Sequence, residues 1–261
     1  MEFVLKAIRA KQYRGEDGQT FKLNGQMLTT SLKGAVMLPS VPPSKAGLGP
    51  QGGHGPQSSE RPLCPGVSGP NPEMVAVDTL EAVRQLAQDG MFNPAVLVFA
   101  SDTNPGGSRK GANLGTQEEA LCRQSTLRPA QEQLTYPIPL MGVAYVPQVQ
   151  GLLPSGIVVF GAICAALRQC LAGESPTGKE MQFLEAKVAS VLGTAAAFGH
   201  KSLVLGAWGC GAFGNPPEVV SRAFATQLRS PAFDGAFERV IFAIPDDELR
   251  QAFDSAFAAA S

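Results

Sequence analysis

The 261-residue sequence has one tryptophan and two histidines, and its five cysteines include no C-x-x-C pair. Two histidines, His54 in a Pro/Gly-rich stretch and His200 beside a helix end, are little material for a Ser-His-Asp triad or a His-rich metal site. Both read as solvated or structural. An odd set of cysteines (Cys64, Cys122, Cys164, Cys170, Cys210) argues against a disulfide framework or zinc ribbon and for reduced, buried thiols in a cytosol-like compartment. Lys and Arg total 21 against 22 Asp and Glu, with no block of like charge. The basic stripe that nucleic acid or an anionic membrane would require is therefore missing. Long apolar runs are missing too. The most apolar stretch, Leu152 to Leu167, is broken by Pro154, Gly156 and Gly161 and falls short of the roughly 18 residues of a membrane span; it reads as a buried strand running into a helix. The first residues, MEFVLKAIRAKQ, alternate charged and apolar side chains and lack the apolar core of a signal peptide. A cytoplasmic protein is expected, or a nuclear one if the source is eukaryotic.

What the chain has in quantity is glycine, 29 residues, and proline, 21. Sixteen of them fall within residues 39–72, a composition that cannot bury enough side chain to offset its ordering entropy. This stretch is expected to be a linker or surface loop. It separates an N-terminal extension, 1–38, expected to pack on the core, from the core itself, 73–261. Within the extension, TFKLNGQMLTTSLKGAVML carries short β-prone pieces, read as a hairpin or an edge strand. From residue 73 strands and helices alternate: a helix in VDTLEAVRQLAQDG capped by Asp78 and stopped by Gly90, the strand PAVLVFAS, a helix in TQEEALCRQSTL, strand-like PLMGVAYV and GIVVFGA, a long helix EMQFLEAKVASVLGTAAAFG, the strand SLVLGAW, and then PEVVSRAFATQL, RVIFAIP and DDELRQAFDSAFAA as helix, strand and helix. Such alternation implies a sheet covered on both faces, with ligands at the carboxyl ends of its strands.

Both glycine loops would lie at that end. In GAWGCGAFGN, Gly209, Gly211 and Gly214 spell G-x-G-x-x-G, the letters of a dinucleotide-binding turn. A Rossmann motif, however, opens its domain and is followed about 20 residues later by an acid at the end of the next strand. Here the motif comes late, and one βα unit remains after it. A strand, unobstructed backbone N–H groups and a following helix still make an anion site suited to a diphosphate. The other loop, NPGGSRKGANLGTQEEALCR, sets glycines directly before two acids. Thr116 and Glu119 spell a capping box, which alone accounts for both acids. A capping glutamate has its pKa lowered by the helix dipole, against general-acid use, unless burial or a bound diphosphate raises it. Adjacent helical residues point about 100° apart, so Glu118 and Glu119 cannot flank a bond from opposite sides, and in glycosidic chemistry one carboxylate would do most of the proton work.

FASDTNPGGSRKGANLGTQEEALCRQSTL, with DTLEAVRQLAQDG before it and LVLGAWGCGAFGNPPEVVSRAF after it, resembles the microbial-type poly(ADP-ribose) glycohydrolases and their GGG…QEE signature over roughly residues 75–247. The resemblance implies a three-layer α/β/α macrodomain-like mixed sheet with an N-terminal extension. It implies that Glu119 is catalytic, with Glu118 binding the hydroxyls of the distal ribose. Gly106, Gly107 and Ser108 would wrap that ribose and the diphosphate, while Gly209, Cys210, Gly211, Ala212 and Phe213 would line the diphosphate's other side. Asn104 and Gln117 complete the expected substrate contacts. Departures from the family stand out: Ser108 replaces the third glycine, the segment from there to Gln117 is slightly long, and segment 146–164, on the adenine side, is abbreviated.

The implied reaction is hydrolysis of ribose–ribose O-glycosidic bonds of poly(ADP-ribose), releasing ADP-ribose, with neither metal nor cofactor. Removal of single ADP-ribose units from acceptors is the alternative reaction. Binding of ADP-ribose without turnover is the alternative of another class, disfavoured because a diphosphate gains nothing from two nearby carboxylates. The expected partner is an ADP-ribose polymer or ADP-ribosylated protein acting as substrate, with no nucleic acid and no membrane, and the chain is expected to be a monomer. Trp208 and Tyr145, both at strand ends, read as core residues rather than adenine contacts.

Overall fold

A computed structural model describes residues 2–39, 72–107, 115–170 and 177–259. Ser108, His54, Cys64 and residues 40–71 of the Pro/Gly-rich stretch lie outside the described residues.

The chain opens with helix α1 (Glu2–Ala10), the short antiparallel pair β1 (Gln12–Arg14) and β2 (Thr20–Lys22), helix α2 (Gly25–Gly34) and strand β3 (Val36–Leu38). After residues 40–71 come β4 (Glu73–Val75), α3 (Thr79–Gln88), β5 (Ala95–Phe99), α4 (Gln117–Gln124), the single turn α5 (Leu127–Gln131), β6 (Val143–Leu153) and β7 (Gly156–Ala165). The last part runs α6 (Gly178–Ala197), β8 (Ser202–Leu205), α7 (Pro217–Leu228), β9 (Arg239–Ala243) and α8 (Asp247–Ala259). Seven strands form one mixed sheet in the order β3-β6-β7-β5-β8-β9-β4. From β7 to β4 every neighbour is parallel, while β3 and β7 flank β6 antiparallel.

Strand alternation divides the core into two apolar layers. On β5, Ala95 and Leu97 face one side, where they join Val188 and Leu192 of α6, Phe224 of α7 and Phe253 of α8. Val96 and Val98 face the other, with Leu80 and Val83 of α3, Leu121 of α4 and Leu127 of α5. A strand covered on both faces has no polar side to present, which is why AVLVF is apolar throughout. The arrangement is the three-layer α/β/α sheet expected. Asp78 caps α3 by accepting from Glu81 N–H at 2.8 Å, and Thr177 opens α6 with a full capping box to Glu180.

Two elements differ from their sequence reading. Leu152–Leu167 is a β-hairpin rather than a strand leading into a helix: Leu153 pairs with Gly156 across Pro154 and Ser155, and β7 continues to Ala165. Pro154 and Ser155 form the two-residue turn, with Gly156 opening β7, and alternate residues beyond it, Ala162 and Ile163, enter opposite core layers. In the extension, NGQMLTTSLKG is helical despite its Gly, Thr and Ser content, which disfavours helix. Asn24 caps it by accepting from Gln26 and Met27 N–H groups, and Gln150 of β6 clamps Asn24 from both sides, accepting from its N–H at 2.7 Å and donating to its carbonyl at 3.1 Å. Tertiary contact thus overrides propensity. The extension also supplies the edge strand expected of it, β3, paired with Val143–Tyr145. Among the described residues no helix is long and apolar enough to cross a membrane.

Because β5, β8 and β9 run parallel, the loops that leave them gather at one end of the sheet. Those loops carry both glycine clusters.

Candidate active site

Gln117, the first residue of α4, fixes the helix to the sheet. Its side-chain oxygen accepts from Phe99 N–H at 2.9 Å, and its amide donates to the Leu97 carbonyl at 2.9 Å and to Thr79 Oγ1 at 3.1 Å. Every hydrogen bond of that side chain is internal. The expected substrate contact is thus occupied in setting the helix N-terminus, and with it the two acids, against the loop that leaves β5.

The Glu118 carboxylate is 1% exposed and lies in a ring of donors. Oε2 accepts from Ser101 N–H at 2.8 Å; Oε1 accepts from Gly106 N–H at 3.2 Å and Gln131 Nε2 at 2.8 Å. Burial pushes its pKa up to about 7; the three donors pull it down by less, and the neighbouring Glu119 charge adds to the rise. Desolvation therefore outweighs the helix N-terminus at this position.

Glu119 is 4% exposed and differently placed. Thr116 Oγ1 accepts from its backbone N–H at 3.4 Å, the first half of the expected capping box. The second half is not formed: the Glu119 carboxylate accepts from Gly115 N–H at 2.7 Å rather than closing on Thr116. Its other oxygen, Oε1, is buried without a hydrogen-bond partner among the described residues. A buried carboxylate oxygen left without a donor is costly, so an unused one marks a site that expects a ligand group.

Both carboxylates converge on one glycine. Gly106 and Gly107 have φ of +74°, the left-handed region that favours glycine, in a turn closed by Gly107 N–H to the Asn104 carbonyl at 3.0 Å. A Cβ on Gly107 would stand 3.0 Å from Glu119 Cγ, 3.4 Å from Glu119 Oε1 and 3.5 Å from Glu118 Oε2. The bare α-carbon thus leaves the space in front of both acids open. Asn104 itself is exposed, its amide turned to Thr103 Oγ1 at 3.2 Å.

The second loop is held by Asn215. Its N–H and its side-chain amide both donate to the Gly209 carbonyl, at 3.0 and 3.1 Å, and the amide also reaches the Arg168 carbonyl at 3.1 Å. Gly209, at φ +73°, allows this: a Cβ there would lie 2.7 Å from the Asn215 amide. Among the described residues the N–H groups of Gly209, Gly211, Ala212 and Phe213 donate to nothing, and all four residues line a cavity of about 480 Å³. Backbone N–H groups left unpaired along the wall of one cavity are the raw material of an anion cradle.

That cavity brings together Gln117, Gly209, Gly211, Ala212 and Phe213 of the expected residues. Cys210 does not line the cavity, and its thiol donates to the Trp208 carbonyl at 3.7 Å. Glu118, Glu119, Gly106 and Gly107 do not line the cavity; they lie beyond Gly115, which does line it and which donates to Glu119. The opposite wall was not anticipated from the sequence: Phe99 at the end of β5, and Ile244, Pro245, Asp246 and Leu249 after β9. The rule that ligands sit at the carboxyl ends of parallel strands pointed to these positions. Trp208 contributes to the wall although it is almost fully buried against Phe224. Tyr145 and His200 hydrogen-bond each other at 2.9 Å within the core, with His200 Nδ1 2.9 Å from the Asn93 carbonyl. Both are structural.

The model for the microbial-type PARG catalytic domain matches residues 2–138, more than half of the chain and inclusive of both acids. The chain belongs to this family. Poly(ADP-ribose) glycohydrolase from Thermomonospora curvata has 25% identity and a TM-score of 0.75, the alignment covering 99% of this chain and 96% of that one. The Deinococcus radiodurans glycohydrolase, solved in complex with ADP-ribose, has 32% identity and a TM-score of 0.62 over 72% of this chain and 84% of its own. Comparison with curated protein sequences finds no match. The family match ends before the second glycine loop, whereas the Thermomonospora alignment spans nearly the whole chain.

Proposed function

We propose that this chain hydrolyses the ribose–ribose O-glycosidic bonds of poly(ADP-ribose), releasing ADP-ribose. The observation that carries the reading is the buried, unpartnered Oε1 of Glu119, held beside Glu118 in front of a glycine α-carbon. The family membership and the ADP-ribose bound to the Deinococcus relative support the substrate class.

In this reading the diphosphate accepts from the free N–H groups of Gly211, Ala212 and Phe213, and the ribose of the bond to be cut extends over Gly107 to the two acids. Glu118, ringed by donors, accepts from ribose hydroxyls and fixes the sugar. Glu119 protonates the leaving hydroxyl as the C1–O bond breaks through an oxocarbenium-like state, then takes a proton from the attacking water. One group performs both transfers because it alone has a free oxygen at that face. Asn104, Cys210 and Gln117 shape the loops rather than touch the reacting atoms.

Glu118 gives this reading a pH signature. A hydroxyl that donates to the carboxylate favours its ionised form, so ADP-ribose binding tightens as pH rises from 6 to 8 and levels off above the midpoint near 7. The limiting slope on the acid side is about one log unit per pH unit. Calorimetric titration across that range checks this, and Glu118→Gln is expected to flatten the profile.

The reaction itself is tested by incubating the protein with poly- and mono-ADP-ribosylated targets, wild type against Glu119→Ala. Conversion of polymer to free ADP-ribose by the wild type alone is the expected result. Release from mono-modified protein only would replace the proposal with the acceptor-hydrolase reaction, and tight binding without turnover would replace it with a reader.

A further inference from the structure

Behind Glu118, on the side away from Gly107, lies a buried polar cluster for which the mechanism has assigned no task. Gln131, at the end of α5, is fully buried. Its Nε2 donates to Glu118 Oε1 at 2.8 Å and to Cys164 Sγ at 3.4 Å, and its Oε1 accepts from Cys122 Sγ at 3.4 Å. The buried Tyr136 hydroxyl lies beside the Gln131 side chain in the same cluster.

From this geometry we infer that Gln131 is the positioning residue of the site, holding Glu118 so that Oε2 faces the ribose, with Cys122 selecting the orientation of the amide. The inference rests on the glycohydrolase reading for its consequence in catalysis, though not for its structural part. Of the three donors to Glu118, two are backbone N–H groups of the glycine loop, Ser101 and Gly106. That loop has to accommodate the substrate. Gln131 is the one side-chain donor among the described residues, and it comes from a different element, so it fixes the carboxylate independently of the loop. A reversed amide would set its oxygen against the carboxylate. The Cys122 thiol prevents this by donating to the oxygen, leaving the NH2 group to face Glu118 and the Cys164 sulfur. Burial raises the pKa of Cys122 and Cys164, so both thiols stay protonated and Cys122 remains a donor.

The ionisable groups facing Glu118 are Glu119 and Cys122 from α4, Cys164 from β7 and Tyr136 from the segment after α5. Arg128, whose methylenes pack 3.2 Å from the position of a Gly106 Cβ, forms an ion pair with Glu132. Replacing Gln131 with Met alters no charge in this set.

The test is a pair of variants, Gln131→Met, which keeps the volume and removes the donor, and Gln131→Glu, which keeps the shape and replaces a donor with an acceptor. Titration of the Glu118 carboxyl in the ligand-free protein, followed by isotope-edited infrared spectroscopy, is expected to show its midpoint raised by about one unit or more in Gln131→Met and further in Gln131→Glu. The rate of polymer hydrolysis at pH 7 is expected to fall about fivefold or more in Gln131→Met and to recover toward pH 9, which a merely structural defect would not do. A folded variant of either kind with an unshifted Glu118 midpoint overturns the inference. A shifted midpoint in a protein whose wild type does not hydrolyse the polymer leaves Gln131 as the anchor of Glu118 and overturns the glycohydrolase reading instead.

Discussion

Glu119→Gln is expected to lower the rate of ADP-ribose release from polymer by roughly 10²–10⁴-fold, the range typical of losing a general acid–base group. Glutamine keeps the shape of the side chain, and its oxygen can still accept from Gly115 N–H, the one hydrogen bond the Glu119 carboxylate makes among the described residues. It has no acidic proton to give a leaving hydroxyl and cannot take one from water. The fall should therefore appear in kcat, with KM and ADP-ribose affinity changed only a few-fold, because the free N–H groups of the second loop and the Glu118 carboxylate remain. The melting temperature should barely move, since the oxygen being replaced has no partner among the described residues. A parallel loss of melting temperature and activity would instead assign Glu119 to helix capping.

Gly107→Ala is the second large effect, and it acts through geometry rather than charge. At φ +74° a Cβ costs about 1–2 kcal/mol of backbone strain. The new methyl also lies 3.0 Å from Glu119 Cγ, within the space in front of both carboxylates. Glu119 cannot yield freely, because α4 is fixed through Gln117 and its own carboxylate is held by Gly115. The expected outcome is a fall in kcat/KM of about 10²-fold or more and a drop of a few degrees in melting temperature. Gly18→Ala, in the turn between β1 and β2, is the control: its φ of +79° imposes the same kind of strain, but nothing stands within 4 Å of a Cβ there, so activity should be unchanged. Kinetics and thermal melts of the two variants side by side separate blocked access from general glycine loss.

Much of the architecture was legible because period and punctuation agree locally. The helix from Asp78 to Gly90 combines a start signal, a stop signal and a consistent apolar period, the strand AVLVF is a short continuous apolar run, and the long helix is amphipathic up to its stop at Gly199, although its opening at Thr177 was not read. The hairpin between β6 and β7 was misread because an apolar run broken by Pro and Gly is compatible with several elements, and only pairing across the turn decides among them. The helix after Asn24 was hidden for a related reason: the Gln150 side chain that clamps its cap is 126 residues away. At the site, the two glutamates and both glycine loops could be named from motif spacing. Which acid keeps a free oxygen could not, because that depends on Ser101, Gly106 and Gln131 closing around Glu118 and not around Glu119. Gln131 and the wall after β9 carry no local motif at all; they are assembled by the sheet.

The most direct measurement is a crystal structure of the Glu119→Gln protein with ADP-ribose bound. The account predicts the diphosphate on the N–H groups of Gly211, Ala212 and Phe213, the distal ribose over Gly107 with its hydroxyls on Glu118, and the C1 oxygen within hydrogen-bond reach, about 2.6–3.2 Å, of residue 119. A ribose directed away from Gly107, with the side chain at 119 still lacking a partner, would contradict it.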